Sequence, residues 1–181
     1  MSAPVVTRLE PAHLDGVRAF LGGLPEEDVT FIKEDVRNPS VIEGWAEPGE
    51  RGRRLVALDA EHVVGLVSII PLLGWSSHVG ELRLVVGAGS RGRGLGRELA
   101  RRGLREAVDL GLEKLFVEVV AEQEHAIRMF GQLGFRGEAL LERHIRDRHG
   151  DLRDLLVLAH AVDDEWASIA SLGIEEDFGA P

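Results

Sequence analysis

The sequence predicts one α/β (α+β) domain with a central mixed, mostly antiparallel sheet of six to seven strands and about four flanking helices. Two hairpins indicate the antiparallel parts: "RRLVALDAEHVVGLVSIIPL" turns at its polar "DAEH", and "RGEALLERHIRDRHGDLRDLLVLAHAV" turns at "RHGD". Between them, the strand "GELRLVV" leads through a glycine-rich turn into a helix and then into the buried strand "LEKLFVEVV". A chain of 181 residues suits one such domain, which buries about two thirds of its unfolded surface.

The remaining elements lie around this centre. "VVTRLEP" alternates weakly and predicts a first strand, and "AHLDGVRAFLGGL" has apolar residues at helical spacing. A second helix is expected in "PEEDVTFIKEDV", with proline and acids in its first turn, followed by a loop over 38–54. The long helix is expected from about Gly92 to Leu110, and a short helix in "EQEHAIRMFGQLGF".

We assign residues 1–160 to the domain and 161–181 to a C-terminal tail. The tail predicts one short helix packed on the domain or at a dimer interface. Its expected inward side comprises Trp166, Ile169, Ala170 and Gly173.

Composition excludes several function classes. The chain has no cysteine, which removes disulfides, thiolate zinc sites and cysteine nucleophiles. The longest apolar run, "VVGLVSIIPLLGW", is too short to span a bilayer, and "MSAPVVTRLE" lacks the regions of a signal peptide. A net charge of −10 argues against nucleic acid as a partner. We therefore expect a cytoplasmic protein that binds neither nucleic acid nor membrane.

The stretch "LRLVVGAGSRGRGLGREL" predicts a phosphate-binding turn. Two spacings fit it. Gly87, Gly89 and Gly92 form G-x-G-x-x-G, the dinucleotide fingerprint, whereas Arg91, Gly94 and Gly96 form R-x-x-G-x-G, the acyl-coenzyme A signature.

The position of the stretch favours the second spacing. A dinucleotide-binding fold opens with its fingerprint and continues with alternating strands and helices in a parallel sheet. Here a hairpin precedes the glycines and another follows, and the strand before them carries Glu81 and Arg83 where a central parallel strand is nearly all apolar. A nucleotide-dependent oxidoreductase stays a remote alternative.

The order of elements, together with "RGRGLG" (91–96) and "AIRMFGQLGF" (126–135), resembles the GNAT superfamily of N-acetyltransferases over about residues 5–160. The resemblance implies a V-shaped splay between the two central strands, acetyl-coenzyme A as cosubstrate, and transfer of the acetyl group to a primary amine by direct attack in a ternary complex. The acceptor would be a small cationic amine or an amino group of a protein or peptide.

The same resemblance implies the coenzyme-binding residues. Backbone groups of the splayed strand would pair with the pantetheine amides, although these residues are also ordinary core positions. Glycines near the helix start leave N–H groups open to a pyrophosphate, and the arginines add positive charge, although the arginine stripe also suits a solvated helix face. The expected residues are Leu84, Val85, Val86, Arg91, Gly92, Arg93, Gly94, Leu95, Gly96, Arg97, Gln123 and Phe130.

Glu81 is the candidate general base. An alkylammonium, with a pKa of about 10.4, must lose a proton to attack a thioester. Glu81 resembles the strand glutamate that serves as base in relatives that acetylate lysines, and alternation places it on the same face as Arg83 and Val85. An ion pair with Arg83 or with a neighbouring strand explains the same residue equally well.

The general acid of the family pattern is missing. The chain contains no tyrosine, and Phe130 stands where the family commonly has one to protonate the departing thiolate. Gln123 likewise replaces a usual asparagine. Phe130 therefore keeps open a second hypothesis, a non-catalytic sensor that binds acyl-coenzyme A.

The acceptor side and the assembly are less defined. Residues 24–50 hold eight acids against Lys33 and Arg37, which favours a cationic acceptor but also suits a solvated surface.

His144 and His149 do not form a metal-ligand pattern, so no metal is expected, and His144 is a weak candidate acid or base. A homodimer is possible through the tail and the last hairpin.

Overall fold

The computed structural model describes residues 3–29, 32–47 and 49–162. Its helices are α1 (Leu14–Gly22), α2 (Glu26–Val29), α3 (Pro39–Gly44), α4 (Leu95–Asp109) and α5 (Glu124–Gln132). Its strands are β1 (Val5–Arg8), β2 (Arg53–Asp59), β3 (His62–Pro71), β4 (Val79–Val86), β5 (Lys114–Val120), β6 (Arg136–Arg146) and β7 (Leu152–Ala161).

The seven strands form one sheet in the order β1-β2-β3-β4-β5-β7-β6. Every neighbouring pair is antiparallel except β4 and β5, which run parallel because α4 crosses over between them. The predicted fold class and both hairpins are confirmed. The antiparallel pairing of β4 with β3 excludes the doubly wound parallel sheet that a dinucleotide fingerprint requires.

The two central strands part after a short region of contact. β4 and β5 pair only at Val79, Gly80 and Glu81, opposite 114–116. Beyond Glu81, β4 stays paired with β3 as far as Val86, and β5 stays paired with β7 as far as Val120. The V-shaped splay is therefore present, and Glu81 lies at its vertex.

Helices cover both faces of the sheet. On one face, α4 and α5 pack on a core that includes Ile69, Leu82 and Leu99. A Cβ at Gly103 would lie 2.9 Å from Ile69 Cδ1, so the absence of a side chain there brings α4 close to β3. On the other face, α1, α2 and α3 enclose a second core, with Val17 wholly buried at its centre.

The segment between α1 and β2 differs most from expectation. The predicted helix over 25–36 is wrong beyond its first turn, because α2 ends at Val29 and the charges of Lys33 and Glu34 pair with the sheet. The predicted loop contains α3. Its start carries ordinary signals, since Asn38 Oδ1 accepts a hydrogen bond from the Ser40 N–H at 3.1 Å and Pro39 occupies the first helical position.

The described residues contain five α-helices, where about four were expected. None of these helices is long and apolar enough to cross a membrane. The predicted tail helix, with Trp166, Ile169, Ala170 and Gly173, lies outside the described residues, which end at 162.

Candidate active site

A crevice of about 1300 Å³ opens where β4 and β5 diverge, and we call it the fork crevice. β4 lines it from Glu81 to Val86, and β5 lines it from Val117 to Val120. The turn before α4, the first part of α5 and the segment between α2 and α3 complete its walls. These elements thus meet where β4 and β5 diverge.

The structure brings most of the predicted coenzyme residues to this crevice. Those that line it are Leu84, Val85, Val86, Arg91, Gly92, Gly94, Gly96, Arg97, Gln123 and Phe130. Two of the predicted residues lie elsewhere: the Arg93 side chain is exposed outside the lining, and Leu95 is buried in the core beneath α4.

The turn before α4 is shaped by two glycines. Gly92 and Gly94 have φ of +71° and +81°, a region that L side chains rarely adopt, so α4 starts at Leu95 rather than at Gly92 as predicted. The first helical hydrogen bond runs from the Glu98 N–H to the Gly94 carbonyl at 3.0 Å. The N–H groups of residues 95–97 therefore lie outside the helical ladder and are available to an anion.

Gly96 has a packing role. A Cβ at this position would lie 3.3 Å from Met129 Sδ and 3.7 Å from Val86 Cγ2. A side chain at residue 96 would thus press on Met129 of α5 and lie in van der Waals contact with the end of β4.

The backbone of β4 offers hydrogen-bonding groups to the crevice at alternate residues. The Gly87 N–H donates to the Val64 carbonyl at 2.9 Å, which fixes the odd-numbered residues, Val85 included, as the ones whose backbone faces β3. The backbone groups of Leu84 and Val86 face the open side. Arg91 Nε donates a hydrogen bond to the Val86 carbonyl at 3.0 Å, so the turn before α4 contacts the end of β4 on this side.

Glu81 lies at the vertex of the splay with only 5% of its surface exposed. Its Oε2 accepts a hydrogen bond from Arg83 Nη2 at 2.8 Å, and its Oε1 lies 2.6 Å from Lys33 Nζ. Burial by itself raises the pKa of Glu81, but the hydrogen bonds and charges of Arg83 and Lys33 outweigh it, so the pKa lies below its usual value. Both predicted features, the shared face with Arg83 and the ion pair, are present.

Glu118 is a site residue that the sequence reasoning missed. It lies on β5, and its Oε2 is 2.7 Å from Lys33 Nζ. Glu118 and Glu81 therefore hold the same ammonium group from opposite arms of the V. A signal was present, because Glu118 interrupts the apolar strand "LFVEVV" just as Glu81 interrupts "GELRLVV".

His144, the candidate acid or base, lies at the fork crevice, and Trp45 and Trp75 differ in their position relative to it. His144 and Trp45 line the fork crevice, and Trp45 also stacks under the Arg54 guanidinium at 4.8 Å. Trp75 is 96% exposed and lies outside the lining. Within the described ranges, no group of three or more acidic or histidine side chains is arranged to hold a metal ion.

Comparison with known families decides the assignment. A family model described as "Acetyltransferase (GNAT) family" matches residues 23–135, which is more than half of the chain. The chain belongs to the GNAT acetyltransferase family. It is accordingly an acyltransferase, and its family uses acetyl-coenzyme A as the cosubstrate.

Individual relatives agree with this assignment. The protein is 27% identical to the spermidine N(1)-acetyltransferase of Vibrio cholerae serotype O1, over 76% of this chain and 91% of that protein. It is 31% identical to the mycothiol acetyltransferase of Rhodococcus jostii, but over 51% of this chain and 32% of the relative.

Solved structures show the same fold. A ribosomal-protein-alanine N-acetyltransferase from Brucella melitensis superposes with a TM-score of 0.77 at 24% identity, covering 87% of this chain and 99% of that one. An N-acetyltransferase from Staphylococcus aureus Mu50 gives 0.76 at 18% identity, covering 90% and 100%.

The residues of this GNAT protein fit acetyl-coenzyme A. No atom lies within 4 Å of a Cβ built at Gly92 or Gly94, so the turn is open to a ligand. The first-turn N–H groups of α4 suit the pyrophosphate, and the side of β4 that faces away from β3 suits the amides of the pantetheine arm.

The position of the family's tyrosine is packed into the core of this GNAT protein. The Phe130 ring is 2% exposed and meets Phe135 edge to face, with ring centroids 5.2 Å apart. Gln123 caps α5, where its N–H donates to the Val120 carbonyl at 2.8 Å and its carbonyl accepts from the Ile127 N–H at 3.1 Å. Phe130 supplies packing and no proton.

Proposed function

We propose that this GNAT protein transfers an acetyl group from acetyl-coenzyme A to a primary amine on a small cationic molecule or a peptide, by direct attack in a ternary complex. Acetyl-coenzyme A supplies an acetyl group activated as a thioester. The N–H groups at the start of α4 hold its diphosphate, and the backbone of Leu84 and Val86 holds its arm along β4.

The observation that carries the proposal is the ammonium position between Glu81 and Glu118. Lys33 Nζ lies 2.6 Å and 2.7 Å from one oxygen of each carboxylate. Two carboxylates at hydrogen-bonding distance from one ammonium form a site that favours a cationic amine. The site lies at the vertex of the fork crevice, where a donor arm following β4 would end.

Glu81 accepts the proton in this mechanism. Its lowered pKa keeps the carboxylate ionised, so it holds an ammonium but is a weak base toward a free one, whose pKa is about 10.4. An acceptor that binds as an ammonium has no lone pair, so Glu81 first relays one of its protons to solvent. A second proton passes to Glu81 as the nitrogen bonds to the carbonyl carbon, since that bond makes the remaining N–H far more acidic. Glu118 holds the amine in place during this step.

The departing sulfur needs no tyrosine. A thiol has a pKa of about 8.5, so its thiolate is a tolerable leaving group and takes a proton from water. The buried Phe130 contributes a dry wall beside it.

The acceptor class rests on charge and on one relative. The curated relative from Vibrio cholerae is named for spermidine, a polycationic amine. Asp28 and Glu34 also line the fork crevice, where they pair with Arg91 and Arg83. The relative and the carboxylate pair of Glu81 and Glu118 favour an acceptor with positive charge.

Release of free thiol tests the proposal. The protein is incubated with acetyl-coenzyme A and a panel of polyamines, aminoglycosides and peptides, and coenzyme binding is measured separately by calorimetry. Thiol release that depends on the amine supports the enzyme. Tight coenzyme binding without release for any amine supports the sensor hypothesis that Phe130 keeps open, and contradicts the proposal.

A further inference from the structure

The ammonium that occupies the acceptor position belongs to the protein itself. Lys33 lies on the segment that joins α2 to α3, and its side chain crosses to the vertex of the V, where it touches both Glu81 and Glu118. The side chain is 42% exposed, so the contact is made at the edge of the crevice rather than in the core. A primary amine of this chain thus lies against the candidate base.

We propose that Lys33 is a self-acetylation site: with the donor bound and no acceptor present, the protein acetylates its own Lys33. The inference rests on the proposed function, because it uses the same donor and the same base. It adds a modification site, and it makes Lys33 a tethered competitor of the external amine.

The reaction is a simple acyl transfer. Lys33 Nζ forms a bond to the acetyl carbonyl carbon, and the bond from that carbon to sulfur breaks with its electron pair on sulfur. Nζ starts as an ammonium and gives up two protons. The first passes by way of Glu81 to solvent and frees the lone pair before attack, and the second passes to Glu81 as the new bond forms. The thiolate takes a proton from water, so one proton is released overall. The products are Nε-acetyl-lysine at position 33 and free coenzyme A, and no oxidant or metal is consumed.

The modification changes the electrostatics of the vertex. Acetylation removes the positive charge of Lys33 and with it both ion pairs to Glu81 and Glu118. Glu81 keeps Arg83, while Glu118 loses this cation. The segment between α2 and α3 then keeps the ion pair of Glu34 with Arg83 but loses its contacts with Glu81 and Glu118.

The sequence provides an internal control. Lys33 and Lys114 are the two lysines of the chain, and Lys114 lies outside the fork crevice, where it pairs with Glu138. Spontaneous chemical acetylation would reach both lysines, whereas transfer within the site reaches Lys33.

The test is mass spectrometry of the full chain after incubation with acetyl-coenzyme A alone. We expect a gain of one acetyl group, mapped to Lys33 by peptide digestion, at a first-order rate independent of protein concentration. Lys33→Arg should abolish the gain, Lys114→Arg should leave it intact, and Glu81→Gln should slow it at least tenfold. Excess coenzyme A or a good amine acceptor should suppress it.

Other results overturn the proposal. An unmodified Lys33, equal labelling of Lys33 and Lys114, or a rate unchanged in Glu81→Gln would each do so. The two proposals fail distinguishably: amine-dependent thiol release with Lys33 unmodified rejects self-acetylation alone. Absence of both reactions rejects the transferase, and self-acetylation with it.

Discussion

The guanidinium of Arg91 lies 2.5 Å from the carboxylate of Asp28, and this ion pair joins the turn before α4 to α2. Arg91 is the first residue of the R-x-x-G-x-G spacing, and Asp28 belongs to the helical turn on the acceptor side of the crevice. A phosphate that binds at the turn must therefore compete with Asp28 for Arg91.

Removal of that competitor is expected to tighten coenzyme binding. Asp28→Asn should lower the Kd for coenzyme A about two- to fivefold, as a partly exposed ion pair is worth about 0.2–1 kcal/mol. Titration calorimetry at low and high salt measures this Kd. The charge-matched control is Glu27→Gln, because Glu27 is an exposed neighbour of Asp28. Equal tightening in both variants would assign the effect to net charge instead of to Arg91.

Loss of the candidate base is expected to reduce turnover. Glu81→Gln should lower kcat about 10²- to 10⁴-fold, with the largest loss at low pH, where fewer acceptor amines are already neutral. The Kd for coenzyme A should be unchanged. Glu138→Gln, which removes an exposed carboxylate outside the crevice, is the control. A pH–rate profile of the same shape in Glu81→Gln and the parent protein would refute the assignment.

Glu118 is expected to act on acceptor binding more than on the chemical step. Glu118→Gln should raise the KM of a cationic amine about 10- to 100-fold, because a hydrogen bond to a charged group contributes about 1.5–3 kcal/mol. kcat should fall much less than in Glu81→Gln. For an acceptor amine of low pKa, which binds in its neutral form, the KM should rise less. A kcat loss as large as that of Glu81→Gln, with KM unchanged, would contradict this role.

The pKa of Glu81 also predicts how stability depends on pH. The pKa is lowered in the folded protein, so the ionised carboxylate stabilises the fold above its unfolded value of about 4.3, and this contribution is lost as pH falls through the lowered folded pKa. Glu81→Gln should therefore have a lower Tm at pH 7. Thermal unfolding measured from pH 7 to acid pH should show the Tm difference between Glu81→Gln and the parent protein becoming smaller. A Tm difference that grows toward acid pH would contradict a lowered pKa of Glu81.

Two glycine substitutions distinguish the two spacings of the glycine-rich stretch. Gly94 has φ of +81°, so Gly94→Ala should cost about 1–2 kcal/mol of stability and weaken coenzyme A binding. Gly89 belongs to the dinucleotide spacing only, has no atom within 4 Å of a built Cβ, and does not have positive φ, so Gly89→Ala should change neither property. Denaturant unfolding and calorimetry on both variants measure it, and a greater binding loss in Gly89→Ala would reverse the assignment.

Local features of the sequence were sufficient for most of the fold and for part of the site. Period-two alternation predicted both hairpins and placed Glu81 beside Arg83, and the glycine spacing predicted where α4 begins to within three residues. α3 was missed although Asn38 and Pro39 carry ordinary start signals, and the helix expected over 25–36 ended after one turn. The second error lies where Lys33 and Glu34 pair with distant strands instead of with the next helical turn.

The sequence by itself determined the strands, the glycine-rich turn before α4 and the place of Glu81 on β4, because each depends on residues within a few positions of one another. Tertiary structure alone decided that β4 and β5 part after Glu81 and that Glu118 faces it across the gap. It also decided that Lys33, remote from both along the chain, lies between them. Contacts of this kind depend on how strands are ordered in the sheet, and no local periodicity encodes that order.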